Sequence, residues 1–262
     1  MYESYVSQED YPTYDETLGG LRAQVAARIP VRPHAHVIDV ATGYAYFAVE
    51  LARRVPNIRV TGIDISDDSI RNARATITAH GLHERIAVVR MDATRMPFAN
   101  RVFDMAVNFA GLEDIHMTRG RAGVAKVFGE VYRVLKPEAL FCFVVMPTDE
   151  METDAQKLEV ALFSYICNAT WLTESEYRAL IRQTGFTVVD CQTFTTGKKL
   201  NAEQTRAEIR FACDHVPRIY GIGTPRFEDV WRKFGSAIEE HGCGHLSKTI
   251  LFITQKTQLE ET

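Results

Sequence analysis

Short apolar runs alternate with segments of helical periodicity along most of the chain. Phe47, Leu51 and Val55 recur at i, i+4 and i+8, which places them on one face of a helix. Runs of consecutive apolar and β-branched residues are typical of strands that are buried on both faces of a parallel sheet. We predict strands at 36–41, 58–65, 85–92, 103–110, 139–146, 186–194 and 247–256, and helices between them at 46–55, 67–80, 121–135 and 174–184.

This alternation predicts an α/β fold with a doubly wound, mostly parallel, seven-stranded Rossmann-like sheet. Residues 147–172 and 196–246 do not fit the minimal pattern, and we predict helices in them at 155–168, 202–215 and 226–241. We interpret both segments as helical insertions that form a cap over one end of the sheet. The whole chain, 1–262, is then a single domain, with an N-terminal helical cap at 1–35, a ligand-binding core at 36–146, the insertions at 147–172 and 196–246, and a last strand at 247–256.

Charge and hydropathy exclude several functional classes. The formal net charge is −4, and no long run of one sign occurs, which argues against a protein that coats nucleic acid or an anionic membrane. The longest apolar run, 139–146, is too short to span a bilayer. The N-terminus is acidic and rich in tyrosine, unlike a signal peptide. We therefore expect a cytoplasmic protein without nucleic-acid or membrane partners.

The cysteines point to a reduced, metal-free protein. The chain has five, an odd number, and no C-x-x-C pair occurs, so intracellular thiols are expected. His241, Cys243 and His245 lie close together in the segment HGCGH. The two glycines favour a loop there, and no second cluster with zinc-like spacing accompanies it, so we expect no metal site.

Acidic residues follow three successive predicted strands. In open α/β sheets, ligands bind at the carboxyl ends of the strands. Asp39 precedes a turn of small residues at 41–45, Asp64 ends the second strand, and Asp92 ends the third beside Ala93. A carboxylate at Asp64 could accept hydrogen bonds from both hydroxyls of a ribose, and one at Asp92 could meet the exocyclic amine of an adenine. Each residue alone could equally cap a helix, but the ordered set favours a nucleoside site.

These segments resemble class I S-adenosylmethionine-dependent methyltransferases, in particular the ubiquinone/menaquinone-biosynthesis type. The resemblance extends from Val37 to Met146, with weaker similarity at 176–190, and the Leu135-Lys136-Pro137 turn is its most specific feature. It implies that S-adenosyl-L-methionine is the cofactor and S-adenosyl-L-homocysteine the product. The residues it implies for cofactor binding are Tyr14, Asp39, Ala41, Thr42, Gly43, Asp64, Ile65, Asp92, Ala93 and Asn108.

The resemblance assigns these residues to successive parts of the cofactor. Asp39 and the 41–45 turn would hold the methionine end, Asp64 the ribose, and Asp92 and Ala93 the adenine edge, with Ile65 packing on the adenine. Asn108 would lie near the sulfonium, and Tyr14 would close over the cofactor, although a plain packing tyrosine is an even alternative.

The sequence departs from the family at two turns. Ala41 and Ala45 stand where glycine is usual, which is tolerable if φ stays negative. Glu138 and Ala139 replace the glycine pair after Leu135-Lys136-Pro137, and this change is expected to reshape that turn.

The reaction expected is in-line methyl transfer to a small-molecule acceptor. Glu113, Asp114 and His116 follow the fourth strand and are candidates for a general base. Capping of the next helix is the favoured alternative for this acidic stretch. The segments 165–172 and 210–223 could form a lid over the acceptor, or the surface of a homodimer.

Two other functional classes remain open at this point. A nicotinamide-dependent oxidoreductase could use a similar fold, but G-x-G-x-x-G is missing after the first strand. A non-catalytic binding protein could also keep an S-adenosylmethionine-type fold, because a fold does not determine a function.

Overall fold

The computed structural model describes residues 11–257, apart from the side chains of Tyr11, Pro12, Tyr14 and Ile219. Within these residues one mostly parallel sheet has the strand order β3-β2-β1-β4-β5-β9-β6. The expected doubly wound α/β sheet of seven strands is confirmed. The strands of the sheet are β1 (His36–Val40), β2 (Arg59–Asp64), β3 (Ile86–Arg90), β4 (Phe103–Phe109), β5 (Leu135–Val145), β6 (Phe186–Thr195) and β9 (Lys248–Lys256).

Helices connect the strands and cover both faces of the sheet. Two short helices precede the first strand, which agrees with a helical N-terminal segment. A separate two-stranded ribbon, β7 (Lys199–Leu200) with β8 (Cys243–Gly244), was not predicted. The helices are α1 (Tyr11–Thr17), α2 (Leu21–Ala26), α3 (Tyr46–Arg54), α4 (Asp67–Ala79), α5 (Leu112–Val134), α6 (Asp154–Ile166), α7 (Glu174–Gln183), α8 (Ala202–Tyr220) and α9 (Phe227–His241).

The first four strands are parallel and bring their carboxyl ends to one edge. β1 lies between β2 and β4, with Asp39 paired in register with Gly62 on one side and with Val107 on the other. The strand order therefore reverses between β1 and β4, which is the crevice where ligands bind in such sheets. β9 is antiparallel to both of its neighbours, β5 and β6.

The largest differences from the predicted boundaries are at α5, at β5 and at α8, which continues to Tyr220 instead of ending at 215. The predicted helix at 121–135 begins at Leu112, because two helical segments join across a kink at Gly120 (φ 64°, ψ −174°). The fifth strand begins at Leu135 and not at Ala139, since Leu135 already pairs with Phe103 before the register shifts. The turn residue Glu138 has φ 61°, so the left-handed conformation that glycine would favour is kept there with a side chain in place.

Each face of the sheet has its own hydrophobic core. One core joins α2 and α3 to the sheet and continues into the insertions, and the other lies under α5 and α7. In the second core Phe128 contacts Phe141 and Phe143 edge-on, with ring centroids 5.4 and 5.3 Å apart. The all-apolar strands are thus covered on both sides, as a parallel sheet requires.

The two insertions pack against each other. Tyr165 of α6 lies edge-on to Phe234 of α9, with ring centroids 5.5 Å apart. The buried carboxylate of Glu159 on α6 accepts hydrogen bonds from the backbone of Leu246 (2.5 Å) and the hydroxyl of Ser247 (2.6 Å). These hydrogen bonds fix the segment that contains Cys243 and His245, both of which are buried.

Within residues 11–257 no helix is both long enough and apolar enough to cross a membrane. In the same part of the chain, no three His, Cys, Asp or Glu side chains are grouped as metal ligands.

Candidate functional site

A cleft lies along the carboxyl ends of β1, β2, β3 and β4. It consists of two adjacent subsites with empty volumes of about 490 and 450 Å³. Asp39 lines the first subsite, Asp92 lines the second, and Asp64 lines both. Ala41 and Asp114 are also shared, so the three strand-end carboxylates line neighbouring subsites that meet at Asp64. We name the subsites after the parts of the cofactor expected there from the resemblance. The first, expected to hold the amino-acid tail at the methionine end, is the tail subsite, and the second is the adenine subsite.

The structure places most of the predicted binding residues in this cleft. Ala41, Thr42 and Gly43 line the tail subsite, and Ile65 and Ala93 line the adenine subsite. With the three carboxylates, eight of the ten residues line it. The end of each apolar run marks the carboxyl end of a strand. The sequence therefore predicts which residues lie at the cleft.

The turn after β1 is left-handed at both alanines. Ala41 has φ 54° and Ala45 has φ 64°, so the condition under which alanine is tolerated without strain, a negative φ, is not met. The backbone needs this conformation because Thr42 N donates to Ile63 O (2.9 Å), which folds the turn against β2. The added methyl groups do not block the bend, but each costs about 1–2 kcal/mol relative to glycine in this region.

Close packing explains why small residues surround the turn. A Cβ on Gly111 would lie 2.7 Å from Ala41 Cβ and 2.8 Å from Asn108 Nδ2. Neither contact leaves room for a side chain at position 111, so the backbone of Gly111 packs directly against the side chains of Ala41 and Asn108.

Asp39 is buried and hydrogen-bonded within the turn. It is 1% exposed, and Thr42 Oγ1 donates to its Oδ2 at 2.5 Å. Burial raises the pKa of Asp39 to about 7, while the Thr42 hydrogen bond lowers it and the nearby Asp64 raises it. A carboxyl group in this state favours a cationic ligand group, because such a group would stabilise its ionised form.

Asp64 joins the two subsites and fixes the turn. Its Oδ2 accepts from Gly43 N (3.0 Å) and its Oδ1 accepts from Ser66 N (2.9 Å). Burial raises the pKa of Asp64 to about 6, against the lowering effect of these two backbone hydrogen bonds. Each oxygen keeps a second lone pair for a ligand hydroxyl.

Asp92 is held by its own turn and by a cation. Its Oδ1 accepts from Thr94 N (2.9 Å) and Thr94 Oγ1 (2.7 Å), and its Oδ2 accepts from Arg119 Nη2 (3.0 Å). Burial acts to raise its pKa, but the hydrogen bonds from Thr94 and Arg119 prevail, so the net pKa of Asp92 is lowered. An adenine amine at this carboxylate would have to share it with Arg119.

Asn108 does not line the cleft. It is completely buried, its Nδ2 donates to Val40 O (2.6 Å), and its Oδ1 accepts from Gly111 N (3.3 Å). Its amide thus clamps the end of β1 to the turn after β4. Both ends of its amide bind backbone, which is a supporting role, and its expected position near the sulfonium stays a prediction.

The three candidate bases occupy different places on the first turns of α5. Asp114 lines both subsites and receives a hydrogen bond from Tyr220 (3.3 Å). Glu113 lies in the core, where its Oε1 accepts from Met146 N (2.9 Å) and burial raises its pKa to about 7. His116 is buried outside the two subsites, and burial followed by the charge of Arg121 lowers its pKa. Of the three, only Asp114 faces the cleft among the described residues.

Tyr14 belongs to α1, and its side chain lies outside the described residues. The structure adds two lining residues that were not named individually from the sequence, although Tyr220 belongs to the possible lid segment 210–223. Arg22 of α2 lines the tail subsite and Tyr220, at the end of α8, lines the adenine subsite. A single arginine on an amphipathic helix carries no sequence signal, and Tyr220 lies more than a hundred residues from the strands it approaches.

Comparison with known proteins identifies the core. Residues 37–138 match the family model described as methyltransferase domain. This match supports the resemblance of the segment to class I S-adenosylmethionine-dependent methyltransferases. The matched segment contains β1 through β4 and every predicted cofactor residue except Tyr14.

Curated relatives align with this methyltransferase domain and partly beyond it. The chain is 28% identical to an uncharacterised protein of Haemophilus influenzae over 59% of each. It is 32% identical over 42% of each to a demethylmenaquinone methyltransferase of Porphyromonas gingivalis. It therefore spans about half the length of these relatives. Over 95% of its length it is 23% identical to the 27-O-demethylrifamycin SV methyltransferase of Amycolatopsis mediterranei, covering 88% of that protein.

Solved structures share the fold at low identity. A proposed methyltransferase of Bacillus halodurans superposes with TM-score 0.65 and 21% identity, over 92% of this chain and 100% of that one. A geranyl diphosphate methyltransferase in complex with SAM superposes with TM-score 0.58 and 12% identity, over 91% and 85%. At these identities the similarity shows that the fold is shared over most of the chain, including the residues after 146. It does not identify a substrate.

Proposed function

We propose that the chain is a methyltransferase that binds S-adenosylmethionine in the two subsites and transfers its methyl group to a small-molecule acceptor. The observation that carries this proposal is that two adjacent pockets share Asp64, with Asp39 in the first pocket and Asp92 in the second. One ligand with a tail, a ribose and an adenine in that order would extend through both pockets past Asp64.

The residues fit the parts of this cofactor. Asp64 lies at the junction of the subsites, where a ribose would have to lie, and keeps acceptor capacity for two hydroxyls. The adenine subsite is lined by the apolar Ile65, Ala93 and Ile115, which suit a planar base. Asp39 and the 41–43 backbone would then hold the amino-acid tail.

The cofactor supplies an already activated methyl group when it is bound, so the chain mainly positions two reactants. Asn108 and Gly111 fix the loop after β4, and Asp64 fixes the turn after β1. Asp114 is the one candidate base in the cleft, and its proton transfer would be needed only if the acceptor loses a proton. The buried surroundings of the tail subsite exclude water from the reacting groups.

A small acceptor is supported by two observations. The insertions pack together, and Tyr220 at the end of α8 reaches the cleft. Demethylmenaquinone and demethylrifamycin, named in two relatives, are small molecules rather than macromolecules. We therefore place the acceptor between α5 and the insertions, next to Asp114.

Isothermal titration calorimetry with S-adenosylhomocysteine and with NADH tests the proposal. We expect the first ligand to bind and the second not to bind. Asp64→Ala should weaken S-adenosylhomocysteine binding by about 1–3 kcal/mol, the usual contribution of hydrogen bonds to a charged group. Asp104→Ala is the matched control and should leave the affinity unchanged. Asp104 lies at the start of β4, at the opposite end of the sheet from the cleft, where it pairs with Lys136.

No binding of S-adenosylhomocysteine would reject the proposal, and binding of NADH would favour an oxidoreductase. Binding without methyl transfer to any acceptor would favour a non-catalytic binding protein. Mass spectrometry of small molecules that copurify with the chain, followed by assays with labelled S-adenosylmethionine, would identify the acceptor.

A further inference from the structure

One wall of the adenine subsite is formed by the first segment of α5. Asp114, Ile115, Thr118 and Arg119 line the subsite from this segment, which ends at the kink at Gly120. Arg119 is therefore the last residue before the kink, and it is the one arginine among the described residues that line this subsite. The first segment of α5 thus brings a guanidinium to the place where the adenine is expected.

Two glycines determine where the Arg119 side chain lies. Gly120 has φ 64°, which glycine adopts without the steric cost that another residue would incur, and the helix kinks there. A Cβ at Gly123 would collide with Arg119 Cβ, so glycine at 123 leaves the space that Arg119 occupies. Glycine weakens the interior of a helix relative to alanine. The position of Arg119 supplies a packing reason for glycine at 123.

The hydrogen-bonding capacity of Asp92 is fully used by its present partners. A carboxylate has about four lone-pair sites. Its Oδ1 accepts from N and Oγ1 of Thr94 (2.9 and 2.7 Å), and its Oδ2 accepts from Nε and Nη2 of Arg119 (3.2 and 3.0 Å). Thr94 belongs to the same turn as Asp92, whereas the Arg119 side chain is 42% exposed and can shift. An adenine amine can therefore bind Asp92 if it takes the place of one Arg119 N–H group on Oδ2.

Arg119 has hydrogen-bond donors to spare. Its guanidinium carries five N–H groups. Two of them bind Asp92 and one, on Nη1, donates to Thr118 O (3.3 Å), so two have no acceptor among the described residues. In adenine the 6-amine is a donor, and the ring nitrogens on either side of it are acceptors. The Asp92–Arg119 pair presents the matching order, an acceptor beside a donor.

We propose that Asp92 and Arg119 together recognise the edge of the adenine: the 6-amine donates to Asp92 Oδ2, and Arg119 donates to a ring nitrogen beside that amine. The inference rests on the proposed function. One hydrogen bond between Arg119 and Asp92 is exchanged for two hydrogen bonds to the base, and the second Arg119 N–H group keeps the guanidinium on the carboxylate. Arg119 is then a specificity-determining residue for the base, and Asp92 also positions it.

Ligands that lack one ring nitrogen test this contact. Carbon replaces N7 of the base in the 7-deaza analogue of S-adenosylhomocysteine, and it replaces N1 in the 1-deaza analogue. By calorimetry, one of the two analogues should bind the unaltered chain about three- to tenfold more weakly than S-adenosylhomocysteine, the scale of one hydrogen bond. Arg119→Met should lower the affinity for S-adenosylhomocysteine by a similar factor. It should not lower the affinity for that analogue further, because the hydrogen bond that it removes is already missing.

Gly123→Ala tests the same contact without changing a charge. Its Cβ would displace the Arg119 side chain, while alanine favours the helix, so the variant is expected to fold. It should lower the affinity for S-adenosylhomocysteine as Arg119→Met does. Gly129→Ala is its matched control, because a Cβ there meets nothing within 4 Å. Arg121→Met controls for the charge, since it removes from the same helix an exposed guanidinium that pairs with Glu176. Both controls should bind all three ligands with the affinities of the unaltered chain.

The outcomes distinguish this inference from the proposed function. If the unaltered chain does not bind S-adenosylhomocysteine, the proposed function fails. If it binds all three ligands equally well, or if Arg119→Met weakens all three by the same factor, Arg119 does not contact the base and the inference is overturned. Tighter binding of S-adenosylhomocysteine by Arg119→Met also overturns it, because Arg119 would then only compete with the base. If Arg119→Met does not fold, the same comparison of the three ligands with Gly123→Ala decides.

Discussion

The carboxyl of Asp39 combines deep burial with one strong hydrogen bond from Thr42. Burial raises its pKa to about 7, so its ionisation changes in the range where such proteins are assayed. A ligand ammonium at this position would stabilise the ionised form, and the pKa would fall on binding. Binding and proton release at Asp39 are then linked.

We predict that the affinity for S-adenosylhomocysteine rises as the pH increases from about 5.5 to about 7.5, because the ionised fraction of a group with a pKa near 7 rises over this range. Asp39→Asn should bind more weakly and with a flatter pH profile. Calorimetry at several pH values would measure both effects. A ligand without the ammonium, 5′-methylthioadenosine, serves as control, and a rise of equal size for it would contradict the prediction.

The raised pKa of Asp39 affects stability in the opposite direction: the stability of the fold falls as the pH rises. The folded-state pKa of Asp39 lies above its ordinary value of 3.8, so the folded state binds the extra proton. Its contribution to stability is present at low pH and is lost as the pH rises to about 7. The free energy of unfolding of Asp39→Asn, from urea titrations, should therefore depend less on pH in this window than that of the unaltered chain.

Single residues differ in how well the sequence predicts them. Asp39, Asp64 and Asp92 were found because each lies within two residues of the end of a recognisable strand. Asn108 lies near a strand end too, but its role depends on two backbone atoms, Val40 O and Gly111 N, that no local pattern brings together. Arg22 was missed because its burial depends on the rings of Tyr46 and Phe109.

At the scale of elements, left-handed turns stand out. Ala41, Ala45 and Glu138 all have φ between 54° and 64°, at positions where related sequences were expected to have glycine. The surrounding strands keep the turn geometry and accept the strain of the Cβ atoms. The strain at these positions lowers the stability of the folded chain, and a glycine there could restore it.

We predict that Glu138→Gly raises the free energy of unfolding by up to about 1 kcal/mol, because relief of the left-handed strain exceeds the added entropy of the unfolded chain. Its affinity for S-adenosylhomocysteine should stay the same, since Glu138 lies outside the cleft. Thermal and urea unfolding would measure the change. Ala75→Gly, at an exposed position inside α4, is the control and should lower stability by about 1 kcal/mol. Loss of stability in Glu138→Gly would contradict the prediction.

Sheet strands were predicted well because helices cover both faces, and this leaves long apolar runs that are easy to recognise. The start of α5 was missed because the stretch after Gly111 is polar and interrupted by the kink at Gly120. The ribbon of β7 and β8 has two residues in each strand, too few for any periodicity. The end of α8 was placed too early because Pro217 interrupts the pattern, although the helix continues to Tyr220.

At the scale of the whole molecule, a hydrogen bond joins the insertions to the cleft. Tyr220 OH of α8 lies 3.3 Å from Asp114 Oδ2 of α5, and both residues line the adenine subsite. The end of α8 therefore lies at the adenine subsite and contacts the first turn of α5. Gly221, in a left-handed conformation, ends the helix there.

We predict that Tyr220→Phe speeds hydrogen exchange at 214–220 and weakens S-adenosylhomocysteine binding a few-fold, because the lost hydrogen bond contributes about 0.5–1.5 kcal/mol. Exchange measured by mass spectrometry, with and without the ligand, tests this. Tyr132→Phe is the matched control: its hydroxyl donates to Thr257 O (2.9 Å) far from the cleft, and it should change neither quantity. Unchanged exchange at the end of α8 would show that this helix is held by packing alone.

The position of β9 has a consequence for synthesis on the ribosome. This strand, residues 248–256, pairs with β5 on one side and β6 on the other, so both neighbours keep an open edge until it has left the exit tunnel. Strands β1 to β5 can pair early, yet the unpaired edge of β5 can bind other strands until β9 is synthesised. Nascent chains paused before residue 248 should therefore be especially good clients of ribosome-associated chaperones.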